Sequence, residues 1–107
     1  MDTEKLTNST VKKAVEALSE NDKKAWFSLF ESNAVFTDDG NAQDFHDFFE
    51  HAFTHKERFL SITKVENDGK DVYGNFFAGQ WGSFNVYFKF QVNANGKISR
   101  LDIGQAK

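Results

Sequence analysis

Acid–base chemistry in this chain has one well-placed candidate, the pair Asp38-Asp39 followed by Gly40. The pair closes the run AWFSLFESNAVFTDDG. Trp26, Leu29 and Phe30 fall there at i, i+3 and i+4 on one helical face, Ser32 and Asn33 interrupt the pattern, and Ala34-Val35-Phe36-Thr37 resumes as an extended stretch. A strand that begins under an aromatic helix and ends in carboxylates sets an acid at the rim of an apolar interior. Desolvation raises the pKa of such a group, as a general base working near neutral pH requires. The same residues also make an ordinary turn, because Asp and Gly satisfy turn geometry locally. Side chains alternate along a strand, so Phe36 and Asp38 share one face and Val35 and Thr37 the other. Phe36 has the larger apolar area to bury, a difference of order 1 kcal/mol, which favours the register that turns it and Asp38 inward.

The other reactive side chains are less well placed. His46, His51 and His55 lie with Asp47 and Glu50 on one face of a helical pattern whose other face carries Phe45, Phe48, Phe49, Ala52 and Phe53. His51 and His55 are four apart, with Asp47 one turn earlier, and that spacing brings side chains together. Such a pair lacks the third protein ligand of a catalytic zinc site and sits on a solvated face, so no metal is expected. Asp102 stands two residues from Arg100, within reach of an ion pair with it or with a Lys on a neighbouring strand. Thirteen Phe with no Pro and a single Met make the interior aromatic. Rings fill volume with little loss of rotamer freedom, and they also line pockets for flat apolar molecules. Trp26, Phe30, Phe36, Phe49, Phe53, Trp81 and Phe88 are the candidate ligand-binding aromatics.

The elements that must position these groups can be read in order. Val11, Ala14, Val15 and Leu18 form the apolar stripe of a first helix, capped by one of Thr7 to Ser9, and Asn21-Asp22 makes a sharp corner into a second running from about Lys23 to Glu31. A short strand through Phe36 follows, then the Phe-rich helix, opened by Gln43 or Asp44. From Arg58 the period becomes alternating: ERFLSITKVE, DVYGNFFAGQWG, SFNVYFKFQVN and KISRLDIGQ read as strands of an antiparallel sheet, with hairpin turns at Asn67–Lys70 and Asn93–Gly96. Phe84, Val86, Phe88, Phe90 and Val92 share one face of the third of these; Asn85, Tyr87, Lys89 and Gln91 share the other. Gly74 and Gly79 suggest bends or bulges that let the sheet curl around the helices.

Length and charge bound the rest. A chain of 107 residues is read as one domain, residues 1–107, with room for a single core. Thirteen Lys and Arg against sixteen Asp and Glu give a net charge of −3, and with no basic run a nucleic-acid partner is not expected. With no cysteine there is no disulfide framework or thiol nucleophile, and stability must come from packing. The opening MDTEKLTNST has no apolar leader and no stretch is long and apolar enough for a membrane span, so a cytoplasmic protein is expected.

The order of these pieces resembles the SnoaL-like and ketosteroid-isomerase-like branch of the nuclear transport factor 2-like superfamily. The likeness covers nearly the whole chain. ALSENDKKAWFSLFESNAVFTD is similar to the family's helix–corner–helix–strand opening, and NANGKISRLDI to its closing strands. The resemblance implies an α+β cone: three helices from the N-terminal half packed in a curved, mostly antiparallel sheet, with a pocket open at one end. It also implies sheet-to-sheet homodimers. Family members isomerise, cyclise, dehydrate or hydrolyse small molecules in that pocket, or only bind a ligand or assemble subunits. Asp38 matches the general base of the steroid isomerases, which also need a Tyr and a protonated Asp as oxyanion donors. Those positions are Ala14 and Val86 here. Loss of such donors costs several kcal/mol of transition-state stabilisation, so steroid isomerase activity is not expected. The Val86 substitution also removes what resembles the acid/base position of the polyketide cyclases. Asp38, Asp102, His46, Tyr73, Tyr87, Trp26 and Trp81 remain as polar or aromatic pocket candidates.

Two readings follow. In the first, the chain binds a small apolar or aromatic molecule without a cofactor, and any catalysis is proton transfer by Asp38. In the second it is a non-catalytic dimeric binding or assembly module with a filled pocket. The homodimer would form on the sheet face that carries Asn85, Tyr87, Lys89 and Gln91, a polar, Tyr-bearing surface suited to a wet interface.

Overall fold

The computed structural model describes residues 3–106. After a 3₁₀ turn at Thr3–Lys5, α1 (Ser9–Ser19) is capped by Asn8, whose side chain accepts hydrogen bonds from the backbone N–H groups of Thr10 and Val11. The corner residue Asn21 takes the left-handed conformation (φ 57°), and the Asp22 side chain then caps α2 (Lys23–Ser28) by accepting from the Ala25 N–H. This second helix is shorter than the periodicity suggests. It ends at Ser28, and Phe30 opens β1 (Phe30–Asp38) because the Leu29 carbonyl accepts from the Ile98 N–H at 2.8 Å and Phe30 pairs with Ile98. Strand pairing thus captures a residue that local spacing assigns to the helix.

A two-residue strand, β2 (Asn41–Ala42), pairs back on the end of β1, and Asp44 caps α3 (Phe45–Thr54). The chain then runs through β3 (Arg58–Glu66), β4 (Asp71–Phe77), a 3₁₀ turn at Gly79–Trp81, β5 (Ser83–Val92) and β6 (Ile98–Gln105). Gly79, expected inside a strand, lies in that turn at φ 62°. The architecture is α+β: the helices pack on a mixed sheet of order β2-β1-β6-β5-β4-β3, in which β1 and β6 are parallel and every other neighbouring pair is antiparallel. The register of β3 against β4 shifts on both sides of the pair Ile62↔Gly74. A Cβ at Gly74 would collide with the carbonyl oxygen of Ser61, so the glycine is what lets the bulged strand approach so closely.

The sheet's inner face carries Phe88, Phe90, Leu101, Ile103 and Phe36, all buried, and the helices cover it with Val11, Val15, Leu18, Trp26, Phe49 and Phe53. Trp26 is fully buried, its ring centroid 4.9 Å from that of Phe30 and 4.7 Å from that of Phe49. Its indole N–H has no hydrogen-bond partner among the described residues. Among those residues no helix is long and apolar enough to cross a membrane.

A cavity between two carboxylates

Asp38 ends β1 facing inward. It pairs with Ile103, two residues beyond Phe36↔Leu101, and those inner-face neighbours are buried, so the strand's alternation carries the Asp38 side chain to the same side as Phe36. Thr37, one residue earlier, pairs with Asp102 on the outer face and donates its hydroxyl hydrogen bond to Asp102 Oδ1. Asp39 turns the chain at φ 51°, its N–H bonded to the Ile103 carbonyl at 2.9 Å and its carboxylate accepting from the Gln105 N–H at 3.1 Å. These two bonds fix the loop to β6 and hold Asp38 at the strand's mouth.

Beside Asp38 lies a cavity of about 380 Å³. Phe48, Phe76, Phe84, Val86, Phe88 and Ile103 give it apolar walls, and Asp38, Asp39, His51 and Glu57 supply its ionisable groups. Partial burial raises the Asp38 carboxyl above the ordinary Asp value, and the neighbouring Asp39 pushes it further in the same direction. No hydrogen bond or ion pair reaches the Asp38 side chain among the described residues.

Glu57 is the functional candidate that the sequence reading missed. It opens the run ERFLSITKVE, read as a strand, and stands among the charged residues His55, Lys56 and Arg58, yet it is only 9% exposed. Lys56 adopts φ 56°, its N–H bonds the Phe53 carbonyl at 3.2 Å and the Glu57 N–H bonds the Ala52 carbonyl at 2.9 Å. That is the Schellman ending of a helix, whose second residue past the cap ordinarily packs an apolar side chain against the last turn. Here a glutamate occupies the inward position. Burial raises its carboxyl above the ordinary Glu value, against the opposing pull of His51 and His55.

The aromatic candidates divide. Trp81 and Phe88 line the cavity, Phe88 buried in its wall and Trp81 at its mouth, 76% exposed. Phe30 lines a different cleft, formed with Phe27, Phe45 and His46. Trp26, Phe36, Phe49 and Phe53 line neither: they are 0–4% exposed and packed on one another, because the face that α3 turns to the sheet is filled by rings. Of the polar candidates, Tyr73, Tyr87 and Asp102 stand on the outer face of the sheet. Tyr87 pairs with Tyr73 and with Gly104, and Asp102 makes an ion pair with Arg100 (Nε–Oδ2 2.8 Å, Nη2–Oδ1 3.1 Å). His46 is exposed and stacks on Phe27 at 4.9 Å. His51 and His55 have ring centroids 4.2 Å apart, and His51 borders the cavity. No group of three or more His, Cys, Asp or Glu among the described residues is arranged to hold a metal ion.

No protein-family model matches the chain, and no curated protein matches it. Solved structures do. An NTF2-like protein of unknown function from Cytophaga hutchinsonii superposes with a TM-score of 0.73 at 16% identity, over 99% of this chain and 95% of its own. A candidate polyketide cyclase from Sinorhizobium meliloti gives 0.72 at 20% identity, over 96% of this chain and 99% of its own. The epoxide hydrolase/cyclase-like enzyme SalBIII, of pyran ring formation in the polyether salinomycin, gives 0.68 at 17% identity, over 99% and 95%.

Proposed function

Since the chain has the fold of SnoaL-like, nuclear transport factor 2-like proteins, we propose that it binds a small apolar or aromatic molecule in the cavity beside Asp38 and that Asp38 moves a proton on that molecule. The observation that carries this reading is a carboxylate without a partner among the described residues, set in a cavity walled by Phe48, Phe76, Phe84, Val86 and Phe88. A volume of about 380 Å³ suits a small ligand, and apolar walls with few polar groups are the usual make-up of such sites. Desolvation strengthens Asp38 as a base, and an isomerisation, cyclisation or dehydration begins with the proton transfer such a base performs. The names polyketide cyclase and epoxide hydrolase/cyclase-like, borne by two structural neighbours, belong to the same family of chemistries. Ala14 and Val86 stand where the steroid isomerases place their donors, so the reaction proposed is not theirs.

The competing reading, a dimeric module without chemistry, predicts a cavity that takes no ligand. Titration with a panel of aromatic ketones and phenols, followed by chemical shifts of the cavity residues, separates the two. Saturable shifts at Phe84, Val86 and Phe88 that weaken or move in Asp38→Asn are expected. A panel that shifts none of them would sink the small-molecule reading.

A further inference from the structure

Building on that reading, we propose that Glu57 is the hydrogen-bond donor that meets an oxygen atom of the ligand, from a wall of the cavity separate from the one that supplies Asp38. Asp38 comes from the end of β1 and Glu57 from the α3–β3 corner, and both line the same space. The helix ending described above leaves the Glu57 backbone no choice of direction: its N–H is bound to Ala52, and the side chain turns into the interior. There the carboxyl makes no hydrogen bond and no ion pair among the described residues. The turn Gly79–Trp81 leaves room for it. A Cβ at Gly79 would lie 3.2 Å from Glu57 Oε2, so the glycine, at φ 62°, sets the floor on which the carboxyl rests.

Burial shifts the acid toward its neutral form. His51 and His55 on α3 favour the anion, while burial opposes it, and the carboxylates of Asp38 and Asp39 line the same cavity. The negative end of α3 adjoins it and disfavours a second negative charge. Its chain neighbours offer no ion pair: the Arg58 guanidinium donates to the Lys56 carbonyl at 2.7 Å and lies 5.3 Å over the Phe77 ring, and among the described residues no salt bridge joins Glu57 to Lys56. A neutral carboxylic acid carries one O–H donor, and at the cavity wall that donor is open to an acceptor brought by a ligand. A ligand oxygen that gains negative charge as Asp38 removes a proton elsewhere is such an acceptor. The ligand class is therefore a flat apolar molecule bearing a carbonyl or acidic hydroxyl, held with its oxygen toward Glu57.

The test uses para-dimethylaminochalcone, an aromatic ketone dye whose absorption band moves to the red when its carbonyl accepts a hydrogen bond. Wild-type protein, Glu57→Gln, Glu57→Leu and Asp38→Asn are each mixed with the dye across the acid to neutral range, with thermal melts as a check on folding. A red-shifted bound dye is expected in the wild type, the shift fading as pH rises through the Glu57 titration. Glu57→Gln should keep a smaller, pH-independent shift through its amide, dye bound to Asp38→Asn, at whatever affinity, should still be red-shifted, and Glu57→Leu should bind dye without the shift. Loss of one hydrogen bond to a partly charged oxygen weakens binding by roughly tenfold in that variant. Binding without a red shift in the wild type, or an undiminished shift in Glu57→Leu, overturns the assignment of Glu57 alone. Failure of the wild type to bind the dye at all overturns it together with the small-molecule reading.

Discussion

Asp38 and Asp102 sit on neighbouring parallel strands one step apart in register, and their carboxylates leave opposite faces of the sheet. Asp38 pairs with Ile103 and faces the cavity; Asp102 pairs with Thr37 and faces out to Arg100. One is raised by burial and by Asp39. The other is lowered, first by the hydrogen bonds from Arg100, with Thr37 and Lys89 adding to them against a smaller effect of burial. Carboxyl-carbon NMR titration should therefore find Asp38 above the ordinary Asp value and Asp102 below it. An Asp38 that titrates at or below the ordinary value would make it an exposed turn residue and remove the acid–base proposal.

The same shift fixes a sign for stability. Because the folded-state pKa of Asp38 is raised, its contribution is favourable below the ordinary carboxylate value and is lost as pH rises through the folded pKa, leaving an unfavourable charge at neutrality. Asp38→Asn is expected to raise the melting temperature at neutral pH and to leave it nearly unchanged in acid. Equal melting temperatures for the two proteins at pH 7 would contradict this.

Asp102 works in the opposite sense. Its lowered pKa makes its pairing stabilising above the ordinary Asp value, with that stability lost as pH falls through the folded pKa. Asp102→Asn should thus lower the melting temperature at neutral pH, with the deficit closing in acid, and equal melting temperatures at neutral pH would show the outer-face pair to be dispensable.

Phe49 is fully buried, in ring contact with Trp26 at 4.7 Å, Phe36 at 5.2 Å and Phe48 at 5.1 Å, all centroid to centroid. Phe49→Ala should cost about 3–5 kcal/mol by urea unfolding, the usual loss when a packed ring leaves a cavity. A loss below about 1 kcal/mol would mean that this ring is not the centre of the core.

The outer sheet face is the expected dimer surface. Tyr87, Tyr73 and Lys89 stand there together, with the Lys89 ammonium 5.4 Å from the centre of the Tyr87 ring, a mixture of aromatic and polar groups of the kind wet interfaces carry. Sedimentation at micromolar concentration should show a dimer that Tyr87→Asp dissociates. A wild-type monomer under those conditions would refute it.

How far the sequence reaches can be judged at single residues. Periodicity placed α1, α3, β3, β5 and β6 nearly to the residue but carried β4 past its end at Phe77; the caps Asn8 and Asp44 and the Gly-bearing turns are local devices that act through the nearest few backbone groups. Alternation alone also turned Phe36 and Asp38 to one side, and burial of the larger ring agrees with the direction found. Where partners come from far along the chain, local spacing misled. Phe30 left its helix because Ile98 offered a strand to pair with, and β2 is a strand only because β1 lies beside it. Trp26, Phe36, Phe49 and Phe53 became core, and Trp81 and Phe88 became cavity wall, through packing between elements that no single helix or strand pattern encodes. Glu57 is the plainest case. Its run of charges belongs on a surface, and only the Schellman ending of α3 together with the space over Gly79 turns it inward. The periods of helix and strand are short-range and legible in the chain, whereas the burial of a side chain is set by whatever the rest of the fold brings against it.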